Sequence, residues 1–141
     1  MGAYEQWERL TPAEKAVIAS MASNPLTMAK IPLIKMSKDT AFAETTSRFG
    51  SNGHNDRSDA FRHCFWSAIL SRDIGYYWAK SFTTAHESNP GQPPEEKEMD
   101  LHNNSVGLNI GFYYFIPDSN TALSDKCFKA LQNGELKVLV P

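Results

Sequence analysis

Ser58-Asp59-Ala60-Phe61-Arg62-His63-Cys64-Phe65-Trp66-Ser67-Ala68-Ile69-Leu70 decides how this chain folds. Spaced at roughly 100° per residue, Ala60, Phe61, Cys64, Phe65 and Ala68 share one apolar face, the stripe of a core helix. Asp59, Arg62, His63, Trp66 and Leu70 fall on the opposite side. A surface helix would carry scattered Lys and Glu there, whereas here an acid, a guanidinium and an imidazole stand beside two side chains that favour burial. Both faces are therefore expected to be covered. Enclosed charges are costly unless paired, so the polar trio points either to an internal ion-pair network or to the floor of an active site.

Outward from this helix, the loop Ser51-Asn52-Gly53-His54-Asn55-Asp56-Arg57 leads into Ser58, read as its N-cap. Upstream, Thr11-Pro12-Ala13-Glu14 carries a capping Thr, a Pro at the first helical position and a Glu three residues after the cap, a strong helix start. That helix is expected to stop at Asn24-Pro25. Leu26 to Met36 reads as a short helical piece kinked at Pro32, and Ser37-Lys38-Asp39-Thr40 as the opening of another helix closed at Gly50.

Downstream, the central helix is expected to end near Gly75 and a further helix to run from Tyr76 to His86. Asn89-Pro90-Gly91-Gln92-Pro93-Pro94 breaks the chain, and Glu95-Glu96-Lys97-Glu98 supplies the acidic first turn of a helix reaching Gly111. Asp100, Asn103, Asn104, Gly107 and Gly111 lie on one stripe of it, and glycines there permit close approach of a helix or a ligand. A last helix, Ser124 to Asn133, precedes an extended tail from Glu135. The fold class is mostly α, a single-domain bundle of about five to seven helices with room for one short strand pair near the C-terminus. Within one domain spanning 1–141, residues 1–50 hold N-terminal helices, 52–111 the polar helix faces, and 112–141 the last helix and tail.

A chain of 141 residues can bury a sizeable core. Its net charge of -2 gives no electrostatic footprint for nucleic acid, so no nucleic-acid partner is expected. The two cysteines, Cys64 and Cys127, form no disulfide framework and read as buried thiols. The first residues lack the apolar core of a signal peptide and no run reaches membrane-spanning length, so neither a classical signal nor a transmembrane segment is expected.

Three successive helices offer candidate chemistry: His63 with Asp59 and Arg62, His86 with Glu87, and Asp100 with Asn103 and Asn104. Short connections would pack these helices side by side. A lone His on an apolar helix side is more often a satisfied core residue, but three helices offering such groups together shift the balance. In a metal reading, His63, His86, Glu87 and Asp100 supply nitrogen and oxygen ligands suited to zinc, manganese or iron. In a metal-free reading, Asp59 holds the tautomer of His63, His63 or His86 acts as base, and Arg62 binds an anionic group. Cys64 points away from His63, so a Cys-His dyad is geometrically poor. His102 reads as a solvated surface residue and His54 as an exposed loop residue.

The series Asp59-Ala60-Phe61-Arg62-His63, then Ala85-His86-Glu87, then Met99-Asp100-Leu101-His102-Asn103-Asn104 with Val106-Gly107, resembles a domain of bacterial polymorphic toxins and secretion-system effectors. The likeness covers residues 52–111, and residues 1–50 carry no motif of it. It implies an antibacterial or effector role, a cognate immunity protein, and secretion or delivery into a target cell. Together these features lead us to expect a secreted effector hydrolase acting on a lipid, phosphoester or cell-wall bond. Asp59, Arg62, His63, His86, Glu87, Asp100 and Asn104 are expected in one cleft, with a divalent metal such as zinc or manganese as a candidate cofactor. The competing class is a non-enzymatic toxin or binding module, membrane-disrupting or partner-binding, whose polar faces form a structural network.

Overall fold

The computed structural model describes residues 3–141; Met1 and Gly2, the start of the segment read for a signal peptide, lie outside the described residues. The helices follow as α1 (Ala3–Glu8), α2 (Pro12–Ala22), α3 (Pro25–Met28), α4 (Ile31–Phe49), α5 (Arg57–Ile74), α6 (Tyr76–His86), α7 (Pro94–Gly111) and α8 (Asn120–Gln132). The fold is all-α. Helix α5 is its axis, packed by α4, α6, α7 and α8. Ala60, Phe61, Cys64, Phe65 and Ala68 are fully enclosed, as the wheel requires, and Asp59, Trp66 and Leu70 on the opposite side are buried too. Burying an aromatic or aliphatic side chain such as Phe61, Phe65 or Leu70 contributes about 1.5–3 kcal/mol each, so α5 anchors the core. Cys64 and Cys127 are buried free thiols, as expected.

The approach of α7 to α5 is set by glycine. A methyl group at Gly107 would lie 2.0 Å from the carbonyl oxygen of Cys64, and one at Gly111 would lie 2.0 Å from that of Ala68. The glycines admit a helix backbone, not a ligand. Because Asn104 and Asp100 continue the same stripe one and two turns before Gly107, this contact brings them against His63.

Local chemistry explains where helices begin. Thr11 caps α2 in a reciprocal box, its Oγ1 accepting from the Glu14 N–H at 3.0 Å while Glu14 Oε1 accepts from the Thr11 N–H at 2.8 Å. At α5 the cap is Asp56, not Ser58: Asp56 Oδ1 accepts from the Asp59 N–H, and Ser58 Oγ accepts from the Gly53 N–H and donates to Asp56. Pro32 does not kink a helix. It sits in the first turn of α4, where no N–H is required, and α4 runs unbroken to Phe49 with Ser37 buried inside it. Helix α8 starts at Asn120 under the cap of Ser119, earlier than expected, and α1 was not expected.

No strand pair occurs among the described residues. The tail is held instead by Asn103, whose side-chain amide donates to the Lys137 carbonyl at 2.9 Å and accepts from the Lys137 N–H at 2.8 Å. One side chain thus substitutes for a neighbouring strand. Beyond it, the N–H groups of Leu139 and Val140 donate to the carbonyl of Asn55, a residue with a left-handed φ of 61°. No helix among the described residues is long and apolar enough to cross a membrane.

Candidate functional site

His63 sits where α5, α7 and the end of α6 meet, with its side chain 13% exposed. Its two nitrogens have different company. On the Nδ1 side, Asn104 Oδ1 stands at 3.2 Å and Glu87 Oε2 at 3.7 Å. On the Nε2 side, Asp59 Oδ1 stands at 3.3 Å and Asp100 Oδ1 at 3.4 Å. Asn104 fixes the tautomer. Its Nδ2 donates to Glu87 Oε2 at 3.1 Å and its Oδ1 accepts from Ser67 Oγ at 3.1 Å, which leaves an acceptor facing the ring. Nδ1 therefore carries a hydrogen, and in a neutral ring the Nε2 lone pair points at two carboxylates.

Each carboxylate is tied from a different element. Asp59, one turn before His63 on α5, holds Arg62 through Oδ1 at 2.5 Å and accepts the Asn55 N–H through Oδ2 at 2.7 Å. Arg62 also donates to Asn52 Oδ1 and the Gly53 carbonyl, so the guanidinium fastens the preceding loop to α5. Gln92, from the break before α7, donates to Asp100 Oδ2 at 2.9 Å and to Glu87 Oε1 at 3.2 Å. Asp100 is 6% exposed, yet its Oδ1 has no hydrogen-bond partner.

Electrostatics reflect this crowding. Burial opposes a charged His63, but its contact with Asp59 and the charges of Asp100, Asp59 and Glu87 outweigh that, and the imidazole is held above its ordinary range. Burial pushes the Asp100 carboxyl up to about 6; the attraction of His63 opposes this, while Glu87 and Asp59 add to it. Asp59 moves the other way. Burial would raise it, but His63, the Asn55 N–H and Arg62 bring it below the usual carboxylate range.

Six of the seven residues singled out in the sequence, Asp59, Arg62, His63, Glu87, Asp100 and Asn104, meet in this cluster. His86 stands beside it. Its ring centroid is 6.5 Å from that of His63 and 5.1 Å from that of Trp66, and its Nδ1 lies 3.1 Å from Glu14 Oε2. The grouping that could hold a cation also differs from His63, His86, Glu87 and Asp100: Asp59, His63 and Asp100 offer ligand atoms all within 4.8 Å of one another. Glu87 faces the opposite ring nitrogen, and His86 is turned toward Glu14.

The cluster is largely buried, with the His63 side chain 13% exposed and the neighbouring His86 side chain 37% exposed. Hollows of about 300 Å³, between Lys30, Arg72, Tyr76 and Phe112, and of about 530 Å³, between Val106, Lys126, Ala130 and Asn133, lie elsewhere. Tyr76 borders the first of these, whereas Trp66 packs beside the histidines. His102 is exposed and bonds the Glu135 carbonyl; His54 is exposed and faces Glu96 at 2.8 Å. Sequence reasoning missed Asn55, Ser67 and Gln92 as cluster residues, and Glu14 as the partner of His86. Only Glu14 carried a signal, as a capping residue.

A helical domain with an enclosed acid, amide and imidazole cluster at the crossing of α5 and α7 is the class this geometry defines. Residues 18–135 match the family model described as a domain of unknown function, DUF6973, and the chain belongs to that family. The match begins well before the motif-bearing segment and takes in α4 and the C-terminal part of α2, the helices that brace α5 and α6. No solved structure matches the chain.

Proposed function

We propose that this chain is a hydrolase domain of an antibacterial effector, with its water-activating centre on the Nε2 side of His63. The observation that carries this reading is the placement of Nε2 between Asp59 Oδ1 and Asp100 Oδ1 at 3.3 and 3.4 Å. Such a centre can accept a proton from water as it attacks an electrophilic carbon or phosphorus. The same centre returns the proton to the departing oxygen. Arg62, bonded to Asp59, Asn52 and Gly53, is the guanidinium assigned to an anionic substrate group. Phosphoester, lipid ester and cell-wall bonds remain the substrate classes. The effector role, delivery out of the producing cell and a cognate immunity protein rest on the likeness to polymorphic-toxin domains.

The test is hydrolysis of a phosphodiester, of phospholipid vesicles and of peptidoglycan by the wild-type chain and by His63→Gln, with thermal melting of both. One bond class should be cleaved, and His63→Gln should slow it by about 100-fold or more while still melting cooperatively. Equal rates for the two proteins, or no cleavage of any of the three, contradict the proposal.

A second reading is favoured by the low exposure of His63 and by the mutual pairing of its neighbours: the cluster rigidifies a non-enzymatic toxin that acts on a membrane or a partner. Dye release from vesicles, undiminished in His63→Gln and without lipid cleavage, selects that reading.

A further inference from the structure

We infer that Asp59 Oδ1, His63 Nε2 and Asp100 Oδ1 form a binding site for one divalent transition-metal cation, zinc or manganese. The inference rests on the reading of this cluster as a hydrolytic centre and names the ion it would use.

Spacing is the first support. Ligands of a four- to six-coordinate ion with bonds near 2.1 Å stand roughly 3.0–3.5 Å apart. The two carboxylate oxygens stand 3.3 and 3.4 Å from Nε2. Both distances fall in that range, and all three ligand atoms lie within 4.8 Å of one another.

The unpartnered atoms are the second. Among the described residues, the buried side-chain nitrogens and oxygens without a hydrogen-bond partner are Asn55 Oδ1, Trp66 Nε1, Gln92 Oε1 and Asp100 Oδ1. Two of these belong to side chains of the cluster itself: Asp100 Oδ1 stands 3.4 Å from Nε2, and Gln92 bonds the other oxygen of Asp100 through its amide nitrogen. A buried carboxylate oxygen without a hydrogen-bond partner, 3.4 Å from Nε2, is an atom that a cation would satisfy, whereas Trp66 Nε1, a donor, is not. Asp100 Oδ1 is itself one of the three proposed ligand atoms.

Charge balance is the third. Asp59, Glu87 and Asp100 are three buried carboxylates; Arg62 and His63 contact them, and the exposed His54 ring stands 3.9 Å from Asp59. A divalent ion supplies the missing positive charge. The fourth support is the outer shell. A metal-binding imidazole presents one nitrogen to the ion and is oriented by a hydrogen bond from the other. Asn104, with Glu87 behind it, holds Nδ1 in that way and leaves Nε2 as the donor. Arg62 on Asp59 Oδ1 shares one of the ligand oxygens, which weakens affinity and keeps a cation beside the ion for an anionic substrate. With an ion bound, Nε2 would be a ligand rather than the base, and the ion would lower the pKa of water so that its proton passes to solvent.

The test is titration calorimetry of the chelator-treated chain with MnCl₂ and with ZnCl₂, with NMR of the histidine ring protons during the manganese titration. One ion per chain should bind, and manganese should broaden the His63 ring protons while sparing His102. Asp100→Asn should lose saturable binding, Glu87→Gln should bind roughly 10- to 100-fold more weakly, and His102→Gln should bind as wild type. Asp100→Asn is first checked for an intact melting transition. Absence of saturable binding, unchanged affinity in Asp100→Asn, or uniform broadening of all histidines overturns the inference. Hydrolysis without any bound ion sinks the ion site and leaves the hydrolase. One bound ion on the named ligands, with no bond cleaved, leaves the site and sinks the hydrolase.

Discussion

The amide oxygen of Asn104 faces Nδ1 of His63 at 3.2 Å, and the amide nitrogen of the same side chain is committed to Glu87. That single relationship sets which ring nitrogen is free, and so where chemistry can occur. Asn104→Ala removes the acceptor for Nδ1 and for Ser67 and leaves Glu87 short of a donor. A loss of about 2–3 kcal/mol is expected from urea unfolding, because buried polar groups are left unpaired. Hydrolysis should also shift in its pH profile, since the tautomer is no longer fixed. A change under about 0.5 kcal/mol with an unchanged profile would contradict the role assigned to Asn104.

Gly107 decides the α5–α7 contact. By helix propensity alone, Gly107→Ala should stabilise α7 by about 1 kcal/mol. The 2.0 Å approach of a methyl group to the Cys64 carbonyl predicts the opposite sign, because that neighbour is backbone and cannot swing away. Gly107→Ala should destabilise by about 1–3 kcal/mol and displace Asp100 and Asn104 from His63. Thermal unfolding gives the sign; a stabilised variant would show that the helices separate at little cost.

Glu14 couples the first helices to the site's edge. Burial would raise its carboxyl, but its bonds to His86 and to the Thr11 N–H, with the charge of His86, bring it below its ordinary value of 4.5. A lowered folded value contributes stability that is present above the unfolded value and lost as pH falls through the folded one. Glu14→Gln can still complete the capping box but not this charge pairing. Urea unfolding between about pH 3 and 6 should show a shallower acid limb in Glu14→Gln than in wild type. Parallel limbs would remove Glu14 from the account.

The central helix was legible because its period and its two unlike faces agree: Phe61 and Phe65 announce one core contact, and Asp59 and His63 a second, enclosed one. The capping box at Thr11 was legible for the same local reason. Pro32 was misread because a proline in an apolar run marks a first turn as readily as a break, and only the packing of Ile34 and Ala41 against the core decides. Asn103 and Asn104 share a stripe on the wheel but stand one residue apart, enough to send one to the tail and the other to His63. The pairing of His86 with Glu14 spans 72 residues, and Gln92 lies in a break without periodicity, so neither contact had a sequence signal.

Asp100 tests the central claim most directly, because its Oδ1 is buried beside His63 without a hydrogen-bond partner, an arrangement that costs stability unless the site has use for it. In Asp100→Asn the oxygen can keep the bond from Gln92, the new N–H₂ can donate to Nε2 once His63 is neutral, and the local excess of negative charge falls. The decisive measurement is urea unfolding of wild type and Asp100→Asn in chelator at about pH 7.5, paired with hydrolysis by each; this pH lies above the raised value of Asp100. A functional centre predicts Asp100→Asn more stable by on the order of 1 kcal/mol, with hydrolysis lost. A less stable variant that hydrolyses as wild type does would mark the cluster as structural scaffolding.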